Sequence, residues 1–187
     1  MAKPPTTRDA VIPLLAEAFR EHGYQGTSMA ILQDATGLGR GSLYHFFPGG
    51  KEEMAAAVLA DIRAWFDERV FSPLRSASTG AEEARQGVDT MFDEVRTYFR
   101  SGRRVCLPGV FAIGRERDKF DDAVRGYFAE WVDTLTAALG AAGSSEPRSR
   151  ALQLIAAVQG GIVLARALDD PDVFDTVIDS ARAPIDL

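Results

Sequence analysis

Between Arg40 and Phe47 the chain sets a guanidinium, a hydroxyl, a phenol and an imidazole in one short run, Arg40-Gly41-Ser42-Leu43-Tyr44-His45-Phe46-Phe47, with no carboxylate among them. These groups suit an anionic partner with readable edges. Arg40 can fork onto a guanine or clamp a phosphate, and Ser42 can reach a base edge or a phosphate. The hydroxyls of Thr27, Ser28 and Tyr44 suit phosphate oxygens, as does His45 as a donor. Lys51 adds a cation at the start of the next helix. The chemistry is the binding of a DNA duplex, with no bond made or broken. Plainer roles exist for each group. Tyr44 also suits a half-buried core position, His45 a solvated surface, and Thr27 and Ser28 the capping of a helix with or without DNA.

A local scaffold must position these side chains. Thr27 and Ser28 are good N-caps, because their hydroxyls accept from the first free amides of a helix. Ile31, Leu32 and Ala35 come next, on one face at helical spacing. Gly37 sits where that helix must stop and can take the left-handed conformation of a C-cap. Leu38 is placed to fill the angle before a second helix, which starts at Gly39 or Arg40 and runs to about Phe47. In that helix Leu43, Phe46 and Phe47 face inward and the polar groups cover the rest, and Pro48-Gly49 ends it. The pattern is a helix-turn-helix, whose second helix lies in the major groove.

The segment resembles the DNA-binding domain of TetR/AcrR-type transcriptional regulators. Phe19-Arg20-Glu21-His22-Gly23-Tyr24 matches the end of the family's first helix. Thr27-Ser28, Gly37-Leu38, the run from Arg40 to Phe47, and Lys51 match the family's second, third and fourth helices, so the likeness covers residues 8–54. The Pro48-Gly49-Gly50-Lys51 junction has one glycine more than many members and is similar to the LmrA/YxaF-like subgroup. The resemblance implies phosphate contacts for Tyr44, His45 and Lys51 and major-groove contacts for Arg40 and Ser42. It also implies a homodimer joined by a four-helix interface from the two C-terminal helices of each subunit, and a small hydrophobic effector.

Composition is consistent with this. Hydrophobic residues make up 46% of the 187, enough for a packed core, and no stretch approaches the ~20 apolar residues of a membrane span. Met1-Ala2-Lys3-Pro4-Pro5 reads as a frayed basic arm, with no apolar run behind it that would make a secretory signal. The single cysteine, Cys106, excludes an intramolecular disulfide and fits a cytoplasmic protein. The net charge of −6 is unevenly spread. Residues 1–51 hold five cations against four carboxylates, a balance of +1, and the remainder carries −7. The acidity lies outside the DNA head, which predicts modest non-specific affinity. Two rival readings are weaker. An enzyme finds no phosphate loop, no metal-ligand cluster and no Ser/His/Asp set, so no cofactor is expected. A helical scaffold that no longer binds DNA is favoured only by the acidic balance.

The expected fold is all-α, about nine helices and no strand. It has a three-helix head over residues 1–50 and a helical effector-binding and dimerisation bundle over 51–187. Ile12, Leu15, Ala16 and Phe19 make the first stripe, with Pro13 predicted to kink or delay the helix. A long helix from Lys51 is expected to stop at Ser72-Pro73. A Ser/Ala loop comes after it over 72–80, and a capping box starts at Thr79. Residues 103–119 read as irregular. Phe92, Phe99, Phe111, Phe128 and Trp131 are candidates for an apolar effector pocket, with ordinary core as the alternative. Arg103 and Arg104 suit an anionic ligand or plain solvent. Cys106 reads as a small buried residue, with a redox role if those arginines stabilise its thiolate. Leu152, Ile155, Gln159, Gly160, Ile162, Val163 and Val177 are the expected dimer seam, Gly160 and Gly161 allowing close backbone approach. Close packing inside one chain is the alternative.

Overall fold

In the computed structural model, which describes residues 7–76 and 80–182, the chain is all-helical, with no strand among the described residues. The helices are α1 (Arg8–Gly26), α2 (Met29–Thr36), α3 (Arg40–Phe46), α4 (Gly50–Phe66), α5 (Ser72–Ser76), α6 (Ala81–Phe99), α7 (Leu107–Ile113), α8 (Asp121–Ala141), α9 (Pro147–Ala167) and α10 (Asp172–Arg182). A π turn, Asp67–Phe71, joins α4 to α5 in one run, so the described residues form nine helices, as expected. The arm at residues 1–5 and Thr79 lie outside the described residues.

Several boundaries differ from expectation for local reasons. Helix α1 starts at Arg8, capped by Thr7, and passes through Pro13 without a break. An early proline forfeits one hydrogen bond, to a carbonyl near the helix start, and Pro13 lies on the exposed side. The break comes instead at Gly23, with φ 65° and ψ 172°. The helix after Lys51 does not stop at Ser72-Pro73. The π turn widens the backbone just ahead of Pro73, whose ring would meet the preceding turn of a regular helix, and the run continues to Ser76. The 72–80 stretch is therefore partly helical, and α6 takes Gly80 as its N-cap. Residues 103–119 hold α7 and a 3₁₀ turn, Arg117–Lys119. Pro108 is tolerated in α7 because first-turn amides need no helical partner.

The chain divides into two compact units. One comprises the described residues up to Arg63 together with Leu107–Arg125, so α7 packs with the N-terminal helices and not with the C-terminal bundle in which it was expected. Its core includes Val11, Leu15, Phe19, Leu32, Leu43, Phe47, Met54 and Val58, all sealed from water. An aromatic cluster ties α7 to α1: Phe111 meets Phe19 at 6.5 Å and Tyr24 at 5.9 Å, and Phe120 meets Tyr24 at 5.3 Å. The second unit takes Ala64–Cys106 and residues 126–182. Phe66, Phe71, Phe92, Phe99, Trp131 and Phe174 fill its core. Helix α9 packs along α10, and two arginine clusters tie α10 to α6. Arg96 reaches Asp175 at 2.8 Å and Asp179 at 2.5 Å, and Arg182 reaches Asp89 at 2.8 Å.

Candidate nucleic-acid interface

The turn between α2 and α3 is built from short-range bonds. Ser28 caps α2, its hydroxyl accepting from the Ile31 amide at 3.3 Å. Gly37 ends α2 in the left-handed region at φ 67°. Thr36 pins the corner: its buried hydroxyl donates to Leu32 O at 2.7 Å and accepts from the Leu38 amide at 3.3 Å. Thr36 was not singled out by sequence, because a polar residue one turn after Leu32 interrupts an apolar stripe. The inward face of α2 is Leu32 and Thr36, while Ala35, expected inward, is exposed. Leu38 is half-buried at the corner, as its place requires.

Helix α3 buries Leu43 alone, and Phe47 just beyond it is sealed. Arg40, Gly41, Ser42, Tyr44 and His45 are all exposed. A short helix with one buried residue and a continuous polar face presents that face to a partner, as major-groove reading demands. Arg40 makes no ion pair among the described residues, and its guanidinium lies 5.5 Å from the centre of the Tyr44 ring.

Two residues expected at the phosphates have other work. Thr27 is fully buried at the end of α1, where its hydroxyl donates to Gly23 O at 2.5 Å, so it cannot reach a phosphate. Its backbone N–H donates to the same carbonyl at 3.2 Å, so side chain and main chain together close the Gly23 break. Lys51 donates to Tyr24 O at 2.9 Å and Thr27 O at 3.1 Å, with its ammonium 4.4 Å from the centre of the Tyr24 ring. It clamps the start of α4 to the α1–α2 corner with two of its three N–H groups. Tyr24 is buried, and burial first, then the Glu52 carboxylate, pushes its phenol above the ordinary range.

The residues expected to line an effector pocket are not brought together. Phe111 lies in the N-terminal unit against Phe19 and Tyr24. Phe92, Phe99 and Trp131 are sealed core, with the Trp131 indole donating to Met91 Sδ at 3.4 Å, and Phe128 is half-buried against Tyr127. Evenly spaced aromatics on amphipathic helices filled the core here instead of walling a space. A hollow of about 280 Å³ opens elsewhere in the second unit, lined by Gly102, Arg103, Ala165, Arg166, Asp169, Asp170 and Pro171. Arg104 rests over the Tyr98 ring at 5.0 Å. Cys106 is buried beside Tyr127, its thiol the polar group that faces the Tyr127 hydroxyl. Burial, then the neighbouring Cys106, pushes that phenol well above its ordinary value.

The seam residues also separate. Ile155 and Ile162 are buried within the chain, whereas Gln159, Gly160 and Val177 are half-buried. Leu152 and Val163 are exposed. Gly161 serves close packing inside the chain, since a Cβ there would stand 3.1 Å from the Phe174 ring, while at Gly160 it would meet nothing within 4 Å. The outward face of α9 is an apolar stripe of Leu152, Ala156, Val163 and Leu164, continued by Leu168 just past its end, with Val163 at 65% and Leu168 at 64% exposure.

Residues 15–58 match the family model described as bacterial regulatory proteins of the tetR family, and residues 81–180 match that of the LmrA/YxaF-like transcriptional regulator C-terminal domain. The chain is similar to the HTH-type transcriptional regulator LmrA of Bacillus subtilis, 24% identical with 85% of this chain and 86% of that one covered. Among solved structures, a TetR transcriptional regulator from Legionella pneumophila superposes with a TM-score of 0.76 at 23% identity, covering 99% of this chain and 98% of that one. CifR, solved with a 26 bp double-strand operator DNA, superposes with a TM-score of 0.77 at 22% identity, covering 97% and 98%.

Proposed function

The chain belongs to the tetR family of bacterial regulators, in its LmrA/YxaF-like group, and from that premise we propose that it is a homodimeric repressor released from its operator by a small, hydrophobic effector. It is a DNA-binding transcriptional regulator and not an enzyme. The observation that carries the reading is α3, which exposes Arg40, Ser42, Tyr44 and His45 and buries only Leu43. In this reading Arg40 and Ser42 meet base edges. Ser28, Tyr44, His45 and the remaining N–H of Lys51 meet phosphates. CifR's complex with operator DNA supports duplex DNA as the partner.

We assign DNA binding to residues 1–50 and effector binding and dimerisation to 51–187. A single recognition helix reads a few base pairs, so two copies about 34 Å apart are needed for a specific site. The outward apolar stripe of α9 supports the second copy as its occupant. An effector preferring one conformation of the C-terminal part would act through α4, the unbroken helix leading out of the head, and only to the extent of its differential affinity. No described helix is long and apolar enough to cross a membrane, and we place the regulator in the cytoplasm, where its operator would be.

The test is a gel shift of the full-length protein on the intergenic DNA beside its own gene, with and without candidate hydrophobic effectors. A retarded band that Arg40→Ala weakens, and that an effector dissolves, is expected. No band at any protein concentration would end the DNA reading. A band that no effector changes would leave DNA binding standing and end the release mechanism.

A further inference from the structure

Arg40 is the exposed arginine of α3, and the Tyr44 ring lies beside its guanidinium. Gly39 and Gly41 flank it, and at each a Cβ would meet nothing within 4 Å. The Tyr44 ring, one turn along the same face, holds the guanidinium 5.5 Å from its centre, within the range of cation–π attraction. The ring has its own support. Gly50 sits at φ +67°, and a Cβ there would stand 3.4 Å from Tyr44 Cε1 and 3.6 Å from Oη, so the ring lies against bare backbone. The Gly49 amide donates to the Glu53 carboxylate at 2.7 Å, which fixes the junction behind it. Tyr44 is 37% exposed, so part of the residue is left to face a partner.

We propose that Tyr44 is a positioning residue for sequence reading: its ring face holds Arg40 in the attitude from which the guanidinium meets a base edge. The inference rests on the DNA-binding reading above and deepens it. A long cationic side chain loses rotamer freedom when it docks, and a ring that restrains it beforehand reduces that loss. The two parts of Tyr44 then do different things. The hydroxyl, on a phosphate, adds affinity for any sequence. The ring, through Arg40, adds selectivity at one base pair.

The experiment uses the full-length protein and a duplex recovered from a random pool by the wild type, with each base pair changed in turn. The base pair read by Arg40 is the one whose preference Arg40→Ala abolishes. Tyr44→Phe keeps the ring and is expected to weaken all duplexes alike while leaving that preference intact. Tyr44→Leu removes the ring and is expected to lower that preference about two- to fivefold, the equivalent of about 0.5–1 kcal/mol. In an Arg40→Ala background, Tyr44→Leu should lower it no further. Tyr44→Gln, also without a ring, gives the same reading if Tyr44→Leu melts early. A preference retained by both ringless variants, or lost equally in Tyr44→Phe, overturns the positioning role and leaves DNA binding standing. A wild type that recovers no duplex overturns both.

Discussion

The Tyr127 hydroxyl lies in the core of the second unit with only the Cys106 thiol, a weak partner, beside it, while its ring packs on Phe66 at 5.0 Å and Trp131 at 5.9 Å. A buried polar group left in that state costs about 1–3 kcal/mol. Tyr127→Phe is therefore expected to hold or raise the unfolding midpoint. The pH dependence has a definite sign. An unfolded tyrosine loses its proton near pH ~10, and the folded phenol keeps it to higher pH. That contribution is whole below pH ~10 and is lost as the pH climbs through the folded value. Thermal melts between about pH 8 and pH 11 should show a steeper alkaline fall in wild type than in Tyr127→Phe. Lys51 offers a second measurement at this scale. Its bonds to Tyr24 O and Thr27 O predict that Lys51→Ala melts earlier even without DNA, by about 1–3 kcal/mol. An unchanged melt with weakened DNA binding would instead make Lys51 a phosphate contact alone.

Among the elements, α9 has two faces of opposite use. Leu154, Ile155, Val158, Ile162 and Ala165 turn inward at helical spacing, and Leu152, Val163 and Leu164, with Leu168 just past the helix end, turn outward. Periodicity in the sequence marks α9 as a helix but not which stripe meets its own chain, because both are apolar. That is why Ile155 and Ile162 joined the expected seam and Leu164 and Leu168 did not. If the outward stripe holds a second copy, Val163→Asp should give a monomer by sedimentation with an unchanged melting cooperativity and little operator binding. A dimer that survives Val163→Asp and Leu168→Asp together would place the seam elsewhere. The helix-turn-helix was legible because its signals are local: Ser28, Gly37 and Leu43 act within a turn of where they stand. The π turn and α7 were not. The first depends on how Pro73 is accommodated, and the second begins at a Leu-Pro-Gly run that reads as loop until Phe111 finds Phe19.

For the whole molecule, charge sets the terms of DNA binding. The described N-terminal helices spend much of their positive charge internally. Arg8 lies over the Phe47 ring at 4.8 Å and reaches Glu53, Arg20 pairs with Glu17, and Lys51 is a clamp. With a net charge of −6, a random duplex is poorly held. The expected result is a shallow dependence of non-specific binding on salt, each phosphate contact adding a slope of only about 0.9, and a specific complex that Lys51→Ala makes shallower by about one such step. Filter binding over a series of salt concentrations checks both. A steep slope on random DNA would mean that cations other than Lys51 carry the affinity.

Residues 107–125 lie far along the chain from the helix-turn-helix, yet they supply Phe111 and Phe120 to the rings of Phe19 and Tyr24. The reading head is thus a part made in two pieces. A hybrid regulator spliced after residue 63 would carry off one piece and leave the other behind, baring a greasy patch that a foreign body has no reason to cover. Transplanting the specificity of this protein would mean moving both stretches of chain together.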